Sequence, residues 1–176
     1  MSLSKSSLSL NPDQEGTLSV TLTNDGNSDW SVSMAKTSSP SSLASWVTFD
    51  GPSSGVLPYG DGSGTKTFDL IVVPDDSENA GSSNTITIQA KDGNTMKCSQ
   101  ELTIILGQSF GAQLSLATSS LGPIEPGENK TSSLTVTNTG NGQDNLRITI
   151  STPPSGWVFL AIQISFVAGA TKPQPH

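Results

Sequence analysis

From Gly16 to Asn24 the chain reads Gly-Thr-Leu-Ser-Val-Thr-Leu-Thr-Asn, alternating apolar and hydroxyl side chains. That period of two puts Leu18, Val20 and Leu22 on one face of a half-buried strand, and the following Asp-Gly26-Asn27 turns the chain. The same arrangement recurs near the other end. Lys130-Thr-Ser-Ser-Leu-Thr-Val-Thr-Asn138 alternates in the same way and stops at the same Asn-x-Gly-Asn, with Leu134 and Val136 sharing a face.

Further landmarks follow in the same order in both stretches. A second strand is predicted at Trp30–Met34 in the first and at Leu146–Ile150 in the second. Each leads through a Pro/Ser loop to a tryptophan, Trp46 or Trp157, and then to a glycine-bearing turn at Leu57-Pro-Tyr-Gly60 or Val167-Ala-Gly169. Upstream, Asn11-Pro-Asp-Gln-Glu-Gly16 matches Pro123-Ile-Glu-Pro-Gly127. Order and spacing together identify an internal repeat, whose physical meaning is one supersecondary unit used twice.

The first copy continues past Gly60. Lys66–Val73 places Phe68, Leu70 and Val72 on one face, and Asn84–Ala90 points Ile86 and Ile88 inward. Asp92-Gly93 is a hairpin signal, and Glu101–Leu106 a last strand. With Leu8–Leu10 in front, this is about seven short strands with turns between them, the arithmetic of an all-β, immunoglobulin-like antiparallel sandwich. Trp46 is the expected core anchor and Trp30 a second. The second copy runs in step with the first as far as Gly169, after which only Ala170–His176 follow. The expected organisation is therefore a complete sandwich over 1–107, a linker at 108–112, and a second, incomplete sandwich of about four strands over 113–176. In that second part Leu160–Val167 would be a poorly covered apolar strand, open to pairing between copies of the chain.

Composition sharpens this. The 30 Ser and 19 Thr are accounted for by the outward faces of alternating strands. Eight basic and fifteen acidic residues give a net charge of -7, and the basic residues form no stripe, which excludes a nucleic-acid partner and disfavours anionic lipid. No apolar run is long enough for membrane insertion, and the first ten residues lack a signal-peptide core. A chain of this kind is expected to be an excised piece of a secreted or surface protein. One cysteine, Cys98, cannot form an internal disulfide. The only histidine is His176, so Cys98 has no neighbouring base in sequence and is expected in a strand or turn.

The chemistry-bearing candidates are few. Asp25-Gly-Asn27-Ser-Asp29 has alternate oxygens at a spacing that suits calcium, but lacks a downstream bidentate Glu and equally suits a polar turn. Asp75-Asp76 with Glu78 is a carboxylate cluster in what reads as a solvated loop. Trp30, Trp46, Tyr59, Phe110 and Trp157 are candidates for stacking on sugar rings, with Trp46 and Trp157 better read as core because the repeat preserves them. Asn129-Lys-Thr131 is the one Asn-x-Ser/Thr sequon and fits a surface loop. No catalytic, cofactor-binding or metal-binding residue is assigned, and no cofactor is expected.

The first copy's Asn24-x-Gly26, Trp46, Leu57-Pro-Tyr-Gly60 and Val73-Pro-Asp-Asp-Ser-Glu-Asn-Ala-Gly81 resemble the wording of bacterial and archaeal extracellular immunoglobulin-like modules. These include the glycosidase-associated NEW3 domain and the CARDB adhesion-type modules. Copy two adds the Pro126-Gly127-Glu128 turn and Gly156-Trp157, where copy one has Gln14-Glu15-Gly16 and Ser45-Trp46. The resemblance implies a non-catalytic spacer, adhesion or interaction segment of a larger secreted or cell-surface microbial protein. Its partner would be a protein or polysaccharide at the cell surface. A carbohydrate-binding accessory module of a glycoside hydrolase is the alternative it implies. A calcium-stabilised adhesin repeat is a further one.

Overall fold

A computed structural model describes residues 1–60 and 64–149. The chain divides into two units, Met1–Gln108 and Ser109–His176.

The described residues of the first unit form an all-β, immunoglobulin-like sandwich of nine strands and one short 3-10 helix. The strands are β1 (Ser2–Leu3), β2 (Ser7–Leu10), β3 (Gly16–Thr23), β4 (Trp30–Ser38), β5 (Val47–Asp50), β6 (Ser54–Leu57), β7 (Thr65–Val72), β8 (Ser83–Asp92) and β9 (Thr95–Leu106). One sheet has the order β1-β3-β7-β5 and the other β2-β9-β8-β4-β6. All pairings are antiparallel except β2 on β9, whose parallel register sets Leu8 beside Ile104 and Leu10 beside Leu106. The N-terminal segment thus serves both sheets. β1 pairs with β3, Ser4 N–H donates to the Ser19 carbonyl while Ser4 Oγ accepts the Ser19 N–H, and Ser6 then accepts the N–H of Thr103 in the opposite sheet.

Alternation fills the core as the sequence predicts. Leu18, Val20 and Leu22 from β3 and Phe68, Leu70 and Val72 from β7 meet Ile86, Ile88, Leu102 and Ile104 from β8 and β9, all buried. Each such side chain contributes about 1.5–3 kcal/mol when withdrawn from water. Trp46 lies in the core at 3% exposure, where it ends the 3-10 helix Ser41–Trp46 just before β5 begins. That helix buries Leu43 and Trp46 in the core. Trp30 is only half-buried and packs against the core edge.

Three strands were not predicted. β1, β5 and β6 are edge strands of two to four residues, too short to show a period. β9 begins at Thr95, six residues before the predicted strand, because Gly93 takes a positive φ of 58° and closes a tight hairpin in which Asp92 pairs with Thr95.

In the second unit the described strands are β10 (Ala112–Leu116) and β11 (Leu134–Asn138), an antiparallel pair with Leu114 beside Val136 and Leu116 beside Leu134. Ala112, expected as linker, opens β10. Residues 146–149 of the expected strand Leu146–Ile150 are not in a strand. The corresponding β4 is held by β6 and β8 on its two sides, and among the described residues of this unit no strand flanks 146–149. Trp157, Leu160–Val167 and Gly169 lie outside the described residues.

The structure extends the repeat. With Asn24 set over Asn138, Ser19 corresponds to Ser133, and Ser4 donates to Ser19 as Ala117 donates to Ser133, both at 2.9 Å. β10 therefore occupies the place of β1. Met1-Ser-Leu-Ser-Lys-Ser-Ser-Leu8 then falls over Leu114-Ser-Leu-Ala-Thr-Ser-Ser-Leu121, a match that reading from the turns outward does not expose.

Candidate functional site

The most constructed polar feature is a turn lock. Asn24 is the one buried polar side chain among the described residues, at 2% exposure. Its Nδ2 donates to the carbonyls of Ser28 and Leu57 at 2.9 and 3.0 Å, and its Oδ1 accepts the Gly26 N–H at 3.0 Å. One amide therefore closes the β3–β4 turn and ties it to β6. The next backbone group continues the tie, since Asn24 N–H donates to the Gly64 carbonyl at 2.8 Å. Burying an amide is tolerated only when its donors and acceptor are satisfied in this way.

The second unit repeats the lock. Asn138 Nδ2 donates to the Gly142 carbonyl at 2.8 Å, and its Oδ1 accepts the Gly140 N–H at 2.9 Å. The offsets of four and two residues match those of the first unit. What the sequence presents as a shared turn signature is a shared side-chain device.

The same turn contains the calcium candidate. Asp25, Gly26, Asn27, Ser28 and Asp29 are all exposed, and Asp29 Oδ1 accepts the Tyr59 N–H at 3.0 Å. Its oxygens are thus partly engaged in holding the β6–β7 loop. Among the described residues no three His, Cys, Asp or Glu side chains gather into a metal-holding group. In the acidic loop, Asp75 Oδ1 accepts the Ser77 N–H at 2.9 Å and also the Ser77 hydroxyl, an Asx-type turn that shapes the loop locally.

The outer face of the β1-β3-β7-β5 sheet has a shallow depression lined by Ser4, Thr17, Ser19, Asp50, Asp69 and Ile71. The register places Asp50 directly beside Asp69, a carboxylate pair that sequence reading did not single out. Both residues are exposed.

The aromatic candidates separate cleanly. Trp46 is core. Lys97 Nζ stands 5.5 Å from the centroid of the Trp30 ring while also pairing with Asp92 at 3.5 Å, so one face of that indole is already taken by a cation. Tyr59 at 57% and Phe110 at 72% present their rings to solvent, on separate units. Cys98 sits in β9 opposite Ala90, half-buried against the core. Asn129 and Thr131 are exposed, so the sequon lies on the surface.

Lys36 occupies an inward position on β4, where its Nζ donates to the Val47 carbonyl. Burial pulls its ammonium below the ordinary lysine value. Its charge is thereby used on a backbone oxygen of β5.

No family model matches this chain, and no curated protein matches it. Among solved structures, similarity reaches the periplasmic chaperone SfaE at 11% identity and a TM-score of 0.38, covering 60% of this chain and 55% of that one. Domains 5–6 of the S-layer protein SbsC are similar at 16% identity and a TM-score of 0.36, covering 78% and 60%. A chaperone–tip adhesin complex of CFA/I fimbriae biogenesis is similar at 12% identity and a TM-score of 0.34, covering 80% and 66%. The chain thus spans a little over half of the SfaE chain, and likeness at this level says nothing of activity.

Proposed function

We propose that this chain is a non-catalytic, extracellular or cell-surface immunoglobulin-like segment of a larger microbial protein, serving as a spacer or interaction module. The observation that carries the reading is what the two copies share. Asn24 with Gly26 and Asn138 with Gly140 lock the same turn, and the matched apolar positions build the same strand. Duplication has kept architecture: a stiff unit with closed turns, used in series. The mechanism is mechanical, each sandwich setting the distance and direction of whatever is joined to it. The resemblance to NEW3 and CARDB-type modules supports the same assignment.

The exposed Tyr59 ring favours one second reading, an accessory module that stacks on polysaccharide. Electrophoresis of the full chain through gels containing a panel of polysaccharides separates the two. The spacer reading expects no retardation in any gel. Retardation abolished by Tyr59→Ala replaces it with the carbohydrate reading.

A further inference from the structure

The Asn-x-Gly-Asn turn is common to both copies, but the residue that follows it is not. Copy one continues Asn27-Ser28 and copy two Asn141-Gly142, and Asn141 is the only asparagine of the chain followed by glycine. Glycine reaches backbone conformations closed to other residues and carries no side chain to obstruct its own nitrogen. The side-chain amide of an asparagine just before it is therefore open to attack by the next backbone nitrogen.

The fold gives this pair a specific setting. It lies in the turn after β11, outside any strand, and both residues are half-buried, within reach of water. Ser109 N–H donates to Asn141 Oδ1 at 2.8 Å. The segment carrying that donor is pressed against the turn. Thr139 N–H donates to the Gly111 carbonyl at 2.9 Å, and a Cβ at Gly140 would run into the Ser109 carbonyl oxygen. Gly140 is thus what lets Ser109 come close enough to hold the Asn141 side chain. When a nucleophile adds to an amide carbon, negative charge gathers on the amide oxygen. A backbone N–H already aimed at that oxygen stabilises the charge without reorganisation.

We propose that Asn141 is a site of spontaneous deamidation, activated by Ser109, and that its isoaspartyl product unties Ser109 from the turn. The Gly142 nitrogen gives its proton to solvent base and bonds to Asn141 Cγ. The Cγ–Nδ2 bond breaks, and the amine takes up a proton and leaves as ammonia. Water then opens the cyclic imide. Addition at Cγ gives aspartate, and addition at the Asn141 backbone carbonyl carbon gives isoaspartate. In sum, an amide and a water become a carboxylic acid and ammonia. Either product adds one negative charge to a unit whose acidic and basic residues balance, three of each. In isoaspartate the chain runs through the former side chain, so Ser109 loses its acceptor and a methylene enters the turn that Asn138 closes onto the Gly142 carbonyl. The Asn138–Gly140 arm lies upstream of the change and stays closed. The inference does not rest on the spacer reading and survives its failure.

The test is incubation of the full chain at mildly alkaline pH. Isoelectric focusing reads the added charge, and peptide mapping locates it and identifies isoaspartate. Conversion is expected at Asn141, with Asn27 slower by about tenfold or more. In the isoaspartyl fraction the Ser109 amide is expected to exchange at free-chain rates while Gly140 stays protected. Gly142→Ser gives copy two the residue of copy one and is expected to slow conversion by about tenfold. Ser109→Pro removes the donor and is expected to slow it by about tenfold as well, with Gly140 protection reporting that the turn is still closed. A folded chain that keeps Asn141 intact while the urea-unfolded chain converts it shows that the turn holds Gly142 away from Cγ, and overturns the inference. Conversion in Ser109→Pro at the native rate, with Gly140 still protected, overturns it too.

Discussion

Replacing Asn24 by alanine tests the turn lock most severely. The substitution deletes two donated bonds and one accepted bond, and orphans the Ser28 and Leu57 carbonyls and the Gly26 N–H. A net hydrogen bond is worth about 1 kcal/mol, and an acceptor left without a partner away from water costs about 1–3 kcal/mol. The Leu57 bond is enclosed, whereas the bonds to Ser28 and Gly26 are only part-buried, so water repairs some of the loss there. The expected destabilisation of the first unit is about 2–4 kcal/mol. For a unit of this size that lowers Tm by about 10–20 °C. The assay is calorimetric or denaturant unfolding of the full chain, with Asn138→Ala as the companion variant whose effect falls on the second unit. Asn24→Asp adds a control of sign. Its carboxylate would face two carbonyl oxygens in a buried turn, so its pKa in the folded state is raised above the unfolded value. Stability of that variant is then greatest at acid pH and lost as pH rises through the raised pKa. An Asn24→Ala loss below about 1 kcal/mol, or an Asn24→Asp protein that gains stability with rising pH, refutes the reasoning.

Gly64→Ala drives a Cβ to 2.6 Å from the Pro58 carbonyl and 3.0 Å from the Asn24 carbonyl, both backbone atoms, and is expected to cost about 1–3 kcal/mol in urea unfolding. Trp46→Ala empties a core position at 3% exposure and is expected to cost about 3–5 kcal/mol, read as loss of the cooperative transition of the first unit at a lower denaturant concentration. Lys36 has a folded-state pKa lowered by burial, so the unfolded chain binds the extra proton between that value and 10.5. The wild-type chain should accordingly gain stability relative to Lys36→Met as pH rises toward 10.5; a difference that stays flat or shrinks contradicts this.

Legibility in the sequence followed burial. β3, β7 and β8 each bury one face and wet the other, so alternation names both the strand and the inward residues, as it did for Val20, Leu70 and Ile88. Where that contrast fails the pattern is silent. Five of the six residues of β9 before Glu101 are exposed, and β6 buries only Leu57. Trp46 is recognisable as core from the repeat, yet its helical setting is not, because Pro40-Ser-Ser-Leu-Ala-Ser has no period longer than one turn. The Asn-x-Gly-Asn signature is visible as a turn. That its first asparagine is buried and reaches β6 depends on Leu57, 33 residues away, which no local pattern can reveal. The Asp50–Asp69 pair and the Lys97–Trp30 contact arise the same way, from register between distant strands.

The central question is whether the second copy is built as the first is. Backbone amide exchange of Gly26 and Gly140 in the full chain measures this directly, since each N–H is bonded to the side-chain oxygen of the asparagine two residues before it. Both amides are predicted to exchange well below free-chain rates, and each to lose its protection only when its own asparagine is replaced by alanine. A protected Gly26 beside a Gly140 that exchanges as in an unfolded chain would contradict the claim that one architecture is used twice.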